Sequence, residues 1–183
     1  MRASLLTALS LAVACGLAHA SVSSGSLPAA IEAQAGPLQP VGQGRLRFFG
    51  LNVYDAALWA PAGFRASQFG ELPLVLELHY LRGFSDTEIA RASLDQMKRH
   101  GRIDDSQAQR WKSQLIEALP NVRKGDRLAG LHRPGQGVVF FHQGQPVGEV
   151  ADPEFARLFF AIWLGEATSV PELRRALLAG AAR

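Results

Sequence analysis

Three short strand-like segments in the second half of the chain constrain its fold more than any other feature. They run from Arg127 to His132, from Gly137 to His142 and from Gln145 to Val150, and the dipeptides Pro134-Gly135 and Gln143-Gly144 separate them. Dipeptides of this kind favour tight turns, and connections this short join antiparallel neighbours. The sequence therefore predicts a three-stranded antiparallel meander.

Strand-like patterns also occupy the first half of the chain. Residues 44–59 are rich in aromatic and β-branched side chains, and a break near Gly50 predicts either two strands or one long bent strand. Residues 73–82 are largely apolar, which is typical of a central strand, and Gly83 ends that segment.

Helical patterns lie between these strands and after them. The segment from Ser85 to Glu88 has the spacing of a capping box and predicts a first helix, while residues 104 or 105 to 119 predict a second. Asp152-Pro153-Glu154 opens a third helix, and Ser169 to Glu172 is interpreted as a second capping box before a last short helix. This order has no βαβ alternation, so it predicts an α+β fold with helices packed on an antiparallel sheet.

The first twenty residues do not resemble part of that fold. Arg2 gives a positive start, residues 3–16 form an apolar run, and Ala18 and Ala20 are the small residues that a signal peptidase recognises. We therefore expect residues 1–20 to be a signal peptide cleaved after Ala20, with the mature protein in the periplasm or secreted. Cys15 leaves an alternative, in which the protein is a lipoprotein anchored through that cysteine.

The remaining chain is predicted to hold one domain, residues 38–180, after an extended lead-in over residues 21–37 in which Ile31 can dock as a first strand. No segment after the leader is long and apolar enough to span a bilayer. The net charge of +3 is spread over interspersed acids and bases, which argues against a nucleic-acid partner. The oligomeric state is not determined by any pattern in the sequence.

Cofactor and metal sites are not expected. Cys15 is the only cysteine and would leave with the leader, so the mature chain would have no thiol ligand. His132 and His142 lie on separate predicted strands with a spacing that fits no zinc motif.

Several segments resemble, in order and spacing, the bacterial chalcone-isomerase-like family. The resemblance covers roughly residues 38–178 and implies a curved antiparallel sheet with helices packed on one face, an open-faced sandwich with a ligand cleft between sheet and helices. The segments that carry it are Leu51-Asn52-Val53-Tyr54, Lys124-Gly125-Asp126, Pro134 to Val138, Gly144, Gly148, Phe159 to Gly165 and Pro171 to Leu178.

The chain departs from this family at the positions that the plant enzymes use for catalysis. The reaction needs cations and hydroxyl groups that stabilise a developing enolate, and a Phe side chain cannot donate a hydrogen bond to it. The resemblance therefore implies a non-catalytic protein. The Arg position falls near Pro37, the Thr position on Phe49, the Tyr position on Phe84 or Ser85, the Asn position on Arg91 or Ala92, and the Ser or Thr position near Ala156.

The expected ligand is a small apolar or fatty-acid-like molecule, since some non-catalytic relatives hold fatty acids through an Arg. Arg91 is a candidate for that role, although its helical phase favours a solvated position. Two alternatives remain open: an isomerase with a repurposed site, and an interaction module whose cleft is filled by Phe49 and Phe84. No catalytic residue is assigned, and the candidate ligand-binding residues are Arg45, Arg47, Phe49, His79, Tyr80, Phe84 and Arg91.

Overall fold

The computed structural model describes residues 26–182. The predicted signal peptide, its cleavage site and Cys15 lie outside the described residues. Within the described part, the main elements are α1 (Ala29–Ala35), β1 (Gln39–Phe48), β2 (Leu51–Ala60), β3 (Leu74–Tyr80), α2 (Asp86–Met97), α3 (Asp105–Ala118), β4 (Arg127–Arg133), β5 (Gly137–His142), β6 (Gln145–Val150), α4 (Pro153–Leu164) and α5 (Pro171–Leu177).

The six strands form one open, curled sheet in sequence order, and every neighbouring pair is antiparallel. This confirms the predicted meander and the predicted α+β fold. The segment around Gly50 forms two strands, β1 and β2, rather than one bent strand. Both border strands are irregular. Strand β1 contains Pro40 and its pairing with β2 shifts register twice, and β6 contains Pro146 next to Val147, which the pairing with β5 skips.

Helices α2 to α5 pack on one face of the sheet and enclose the main hydrophobic core. Helix α4 is apolar almost all round its axis, which is typical of a helix in a protein interior. The Asp152 carboxylate caps this helix by accepting from the backbone N–H groups of Glu154 and Phe155. Its other oxygen accepts from Trp111 Nε1 at 2.8 Å, so one side chain joins α3 to the start of α4.

The first of the two predicted capping boxes is confirmed and the second is wrong. Ser85 Oγ accepts from the Glu88 N–H, and Glu88 Oε2 accepts from the Ser85 N–H at 2.8 Å. Helix α5 instead has Val170 at its N-cap, without a side-chain cap. The Ser169 hydroxyl donates to Gln96 Oε1 at 2.7 Å and does not cap the helix.

The predicted extended lead-in is also wrong where the helix lies, because Ala29–Ala35 form α1. The central strands are apolar on their second face too, where Val75, Leu131 and Phe141 lie buried. Ile31 and Ala35, one helical turn apart, pack against this surface and shield it from water. Four helices therefore lie on one face, as predicted, and a short fifth helix covers part of the other.

Candidate functional site

A groove of about 720 Å³ runs along the sheet face that α1 partly covers. Side chains of β1, β2 and β3 line it, together with Arg127 from β4 and Pro28 at the start of α1. It lies on the opposite side of the sheet from α2 to α5. The resemblance had implied a cleft between the sheet and the helices, so this groove is in a different place.

The position of β1, which forms one wall of the groove, depends on two glycines. A Cβ on Gly42 would lie 2.2 Å from the Ala176 carbonyl oxygen, and one on Gly44 would lie 2.8 Å from Leu173 Cδ1. Helix α5 therefore contacts the backbone of β1 directly on the face away from the groove. This contact fixes the strand that carries Arg45 and Arg47.

Two ion pairs form part of the charged floor of the groove. Arg45 makes a two-pronged contact with Asp55, with Nε–Oδ1 and Nη2–Oδ2 distances of 2.6 and 2.9 Å. The hydrogen bond to Asp55 raises the pKa of Arg45, so this side chain stays charged. Arg127 Nη1 lies 2.5 Å from Oε1 of the buried Glu77. Both pairs tie neighbouring strands together beneath the groove.

Arg47 and His79 complete this polar region. Arg47 Nε donates to Asn52 Oδ1 at 3.2 Å, and no carboxylate of the described residues forms an ion pair with it. His79 lies opposite Asp55 on one side and opposite Arg127 on the other. Three guanidinium groups and two carboxylates therefore line the groove, which leaves one positive charge in excess.

The rest of the groove is mainly apolar. Trp59 and Ala57 lie on its β2 side, and Val41, Pro40 and Pro28 lie around them. Trp59 also belongs to the smaller hydrophobic cluster beneath α1. The groove thus joins an apolar region to a region with surplus positive charge.

Tyr80 and Phe84 lie on the other side of the sheet, among aromatic side chains. The Tyr80 ring is 5.9 Å from Tyr54 and 5.8 Å from Phe84, and Trp163 Nε1 donates to the Tyr54 hydroxyl at 2.9 Å. Burial raises the pKa of Tyr54 to about 12 and also raises the pKa of Tyr80, so both phenols are neutral at physiological pH. These rings pack together on the helix side of the sheet, and the Tyr54–Trp163 bond joins them to α4.

The candidate residues therefore fall into separate groups. Arg45, Arg47 and His79 meet in the groove. Tyr80, next to His79 in the chain, faces the helices, because successive side chains of a strand point to opposite faces. Arg91 is exposed on α2, and Phe49 lies at the exposed β1–β2 turn.

The groove residues that sequence reasoning did not select include Asp55, Trp59, Glu77 and Arg127. A signal for three of them existed, since Asp55 and Trp59 share one face of their strand, and Glu77 shares a face with His79. What the sequence did not supply was the pairing register that places these faces side by side.

The other positions used by the plant enzymes do not converge here either. Pro37 is exposed before β1, and Ala156 is buried inside α4. Phe49 lies far out on its turn, where its side chain is 90% exposed. These positions supply no polar group to a shared site.

The Phe48–Leu51 tip, meaning residues 48–51, is the most apolar exposed feature of the described chain. Phe48, Phe49 and Leu51 are 64%, 90% and 54% exposed, and the two Phe rings meet edge to face at 4.5 Å. Phe49 has a φ of +47° and Gly50 a φ of +76°, the signs that a type I′ hairpin turn requires. This backbone costs a non-glycine residue about 1–2 kcal/mol.

Comparison with models of protein families shows which family this chain belongs to. A model of a family described as chalcone isomerase-like matches residues 19–179. The chain belongs to the chalcone isomerase-like family. Among solved structures of this chalcone-isomerase-like fold, a fatty-acid binding protein of Arabidopsis thaliana is similar with a TM-score of 0.58 and 16% sequence identity. The match covers 77% of this chain and 86% of that one. A comparison with curated proteins found no match.

Among residues 26–182, no group of three or more His, Cys, Asp or Glu side chains is placed to hold a metal ion. None of the helices in the same range is long and apolar enough to cross a bilayer.

Proposed function

We propose that this protein binds a fatty-acid-like anion in the groove, without chemical turnover, and that it does so in the periplasm or outside the cell. The observation that carries the proposal is the composition of the groove. Arg45, Arg47, Arg127 and His79 lie at its polar region, and Trp59 lies in its apolar region. A carboxylate headgroup fits the first and a hydrocarbon chain fits the second.

Arg47 is the residue best suited to bind the headgroup. Arg45 and Arg127 already neutralise Asp55 and Glu77, whereas Arg47 bonds only the neutral side chain of Asn52. A guanidinium can make two parallel hydrogen bonds to a carboxylate, which gives orientation as well as affinity. The size of the groove, about 720 Å³, lies within the usual range for small-molecule sites.

The positions of the polar groups support the proposed lack of turnover. An isomerase of the chalcone type needs donors that converge on one enolate oxygen. His79 faces the groove while Tyr80 faces the helices, so the sheet separates the two groups that a repurposed site would use together. The Tyr54 hydroxyl already accepts from Trp163.

The binding experiment titrates the purified protein with a fluorescent long-chain fatty acid. We expect Arg47→Gln to weaken binding about fivefold to tenfold, because a charge-assisted hydrogen bond is lost. Arg91→Gln is the matched control, since it removes the same charge from the exposed surface of α2 and should change nothing. If Arg91→Gln weakens binding and Arg47→Gln does not, the ligand binds on the helix side and the groove assignment is wrong.

Native mass spectrometry tests a competing function, an interaction module without a small ligand. That alternative is favoured by the rings of Tyr54, Tyr80 and Phe84, which pack against one another on the helix side. A co-purified lipid that Ala57→Leu displaces would support the groove, because Ala57 lines it. A protein that stays empty when loaded with excess fatty acid would support the interaction module.

Turnover is tested by incubation with chalcones, followed by absorbance spectroscopy. We expect no cyclisation above the uncatalysed rate. Cyclisation that Tyr80→Phe abolishes would contradict the proposal, because this change removes only a hydroxyl group.

The location is tested by N-terminal sequencing of protein recovered from the periplasmic fraction of an expressing bacterium. A sequence that begins at Ser21 is expected. Recovery in the membrane fraction, released by Cys15→Ser, would support a lipoprotein instead.

A further inference from the structure

Two features of the Phe48–Leu51 tip are unfavourable in free energy, and contacts within the protein do not offset them. Its three large side chains are exposed to water, and Phe49 has a backbone conformation that a β-carbon disfavours. Asn or Asp before the glycine would suit a type I′ turn better. The ring of Phe49 contacts only that of its neighbour Phe48 among the ring pairs of the described chain. None of the tip residues lines the groove.

A protein partner fits this surface poorly because the surface is small. The three side chains offer on the order of 400 Å² of exposed apolar area. Two copies meeting tip to tip would bury roughly 800 Å², below the roughly 1,200 Å² of a stable protein interface. A protruding turn that ends in two aromatic rings is better suited to insertion between lipid headgroups, where aromatic and aliphatic side chains are favoured.

The charges at the base of the tip indicate the kind of lipid. Arg47 directly precedes Phe48, and Arg82 follows Leu81, whose N–H donates to the Val53 carbonyl at 2.9 Å. Neither guanidinium forms an ion pair with a carboxylate of the described residues, and Arg82 lies 5.9 Å from the ring centroid of Phe84. Two cations beside an apolar turn are complementary to a negatively charged bilayer surface.

We propose that the Phe48–Leu51 tip docks this protein on an anionic lipid bilayer, with Phe48, Phe49 and Leu51 in the interface and Arg47 and Arg82 against the headgroups. The apolar side chains of the docking surface lie outside the groove, and Arg47 is the one residue that belongs to both. Docking therefore places the groove residue Arg47 at the bilayer surface.

The experiment is co-sedimentation of the purified protein with two kinds of vesicle, phosphatidylcholine alone and phosphatidylcholine with roughly a third phosphatidylglycerol. We expect binding to the mixed vesicles and weaker binding to the neutral ones. Phe49→Asn should reduce binding about tenfold, since one buried aromatic side chain is lost. Arg82→Gln should reduce binding to the mixed vesicles about fivefold and leave binding to neutral vesicles unchanged.

Two controls keep loss of folding apart from loss of docking. Val147→Ser removes another exposed apolar side chain, 39% exposed on β6, and should bind vesicles as the wild type does. Phe49→Asn should melt no lower than the wild type, because Asn suits this turn. It should also keep its fatty-acid affinity, so that failure of the groove and failure of the tip are distinguishable.

Three results would overturn the proposal. The first is no sedimentation of the wild type with either vesicle, and the second is equal sedimentation of the wild type and Phe49→Asn. The third is a wild-type dimer in light scattering that Phe49→Asn converts to a monomer, without vesicle binding, which would make a second copy the partner.

Discussion

Two hairpin turns at the same end of the sheet have the same backbone signs and very different surroundings. In the β1–β2 turn, Phe49 and Gly50 have φ values of +47° and +76°, and in the β5–β6 turn, Gln143 and Gly144 have +51° and +77°. Gln143 Nε2 donates to Asp126 Oδ1 at 3.2 Å, and its Oε1 accepts from the Arg127 N–H at 3.3 Å. Phe49 is exposed to water instead.

The difference shows which turn serves the fold. The side chain of Gln143 ties the β5–β6 turn to the loop before β4, and Gly144 lies beneath Pro28 at the start of α1. These contacts offset the strain of the turn within the protein. The β1–β2 turn has the same strain without such contacts, which is why we assign its side chains to an external surface.

The largest expected effect on stability comes from substituting the glycine of each turn, Gly144 and Gly50. Gly144→Ala should lower the free energy of unfolding by about 2–3 kcal/mol, because the new methyl group adds a 2.9 Å contact with Pro28 to the strain of positive φ. Gly50→Ala has open space around it and should cost only about 1 kcal/mol. Urea denaturation measures both, and equal losses would mean that the contact with Pro28 does not matter.

A smaller loss is expected from Gln143→Ala, which removes the two side-chain hydrogen bonds that tie down the β5–β6 turn. Both bonds are near solvent, so the loss should be about 1 kcal/mol. The same denaturation series reports it. An unchanged stability would show that the backbone bond from the Gln143 N–H to the Arg127 carbonyl already holds this turn.

The corresponding change in the other turn should stabilise the protein. Phe49→Asn replaces a residue that suits positive φ badly by one that suits it well, and should raise the free energy of unfolding by about 0.5 kcal/mol. Thermal melting in buffer without lipid measures it. A clear drop in melting temperature would show that the Phe49 ring stabilises the hairpin, and the contrast between the turns would then fail.

The smallest expected effect is a difference in acid sensitivity. The Arg123 N–H donates to Asp126 at 2.9 Å and, with His142 close by, lowers the pKa of Asp126. A carboxyl group whose pKa is lower in the folded state stabilises the protein above its unfolded pKa, and loses this contribution as the pH falls through its folded pKa. In Asp126→Asn, the melting temperature should therefore depend less on pH below about 4 than it does in the wild type. A variant that keeps the full wild-type slope there would contradict the assignment.

Most of the fold followed from local signals in the sequence. The Ser85 capping box, the Asp152-Pro153 start and the turn glycines specify their elements with little help from distant residues. Helix α1 lacks such a signal, since Pro28 at its N-cap makes no side-chain hydrogen bond. Its helix is set by the packing of Ile31 and Ala35 against the sheet, which only the folded protein reveals.

The candidate site was less predictable than the fold. Arg45, Arg47 and His79 stood out because they are polar residues within strand-like segments. Tyr80 was placed with His79 although a strand sends them to opposite faces. Glu77 and Arg127 come from strands that are distant in sequence and meet only through the register of β3 and β4.

The irregular border strands have a consequence for how this molecule behaves at high concentration. An open sheet exposes unpaired N–H and C=O groups along its outer strands, and another chain can extend the sheet by pairing with them. Pro40 in β1 and Pro146 in β6 cannot donate a ladder hydrogen bond, and the register shifts bend both borders away from a flat template. Growth of this sheet into fibrils is thereby disfavoured at both ends.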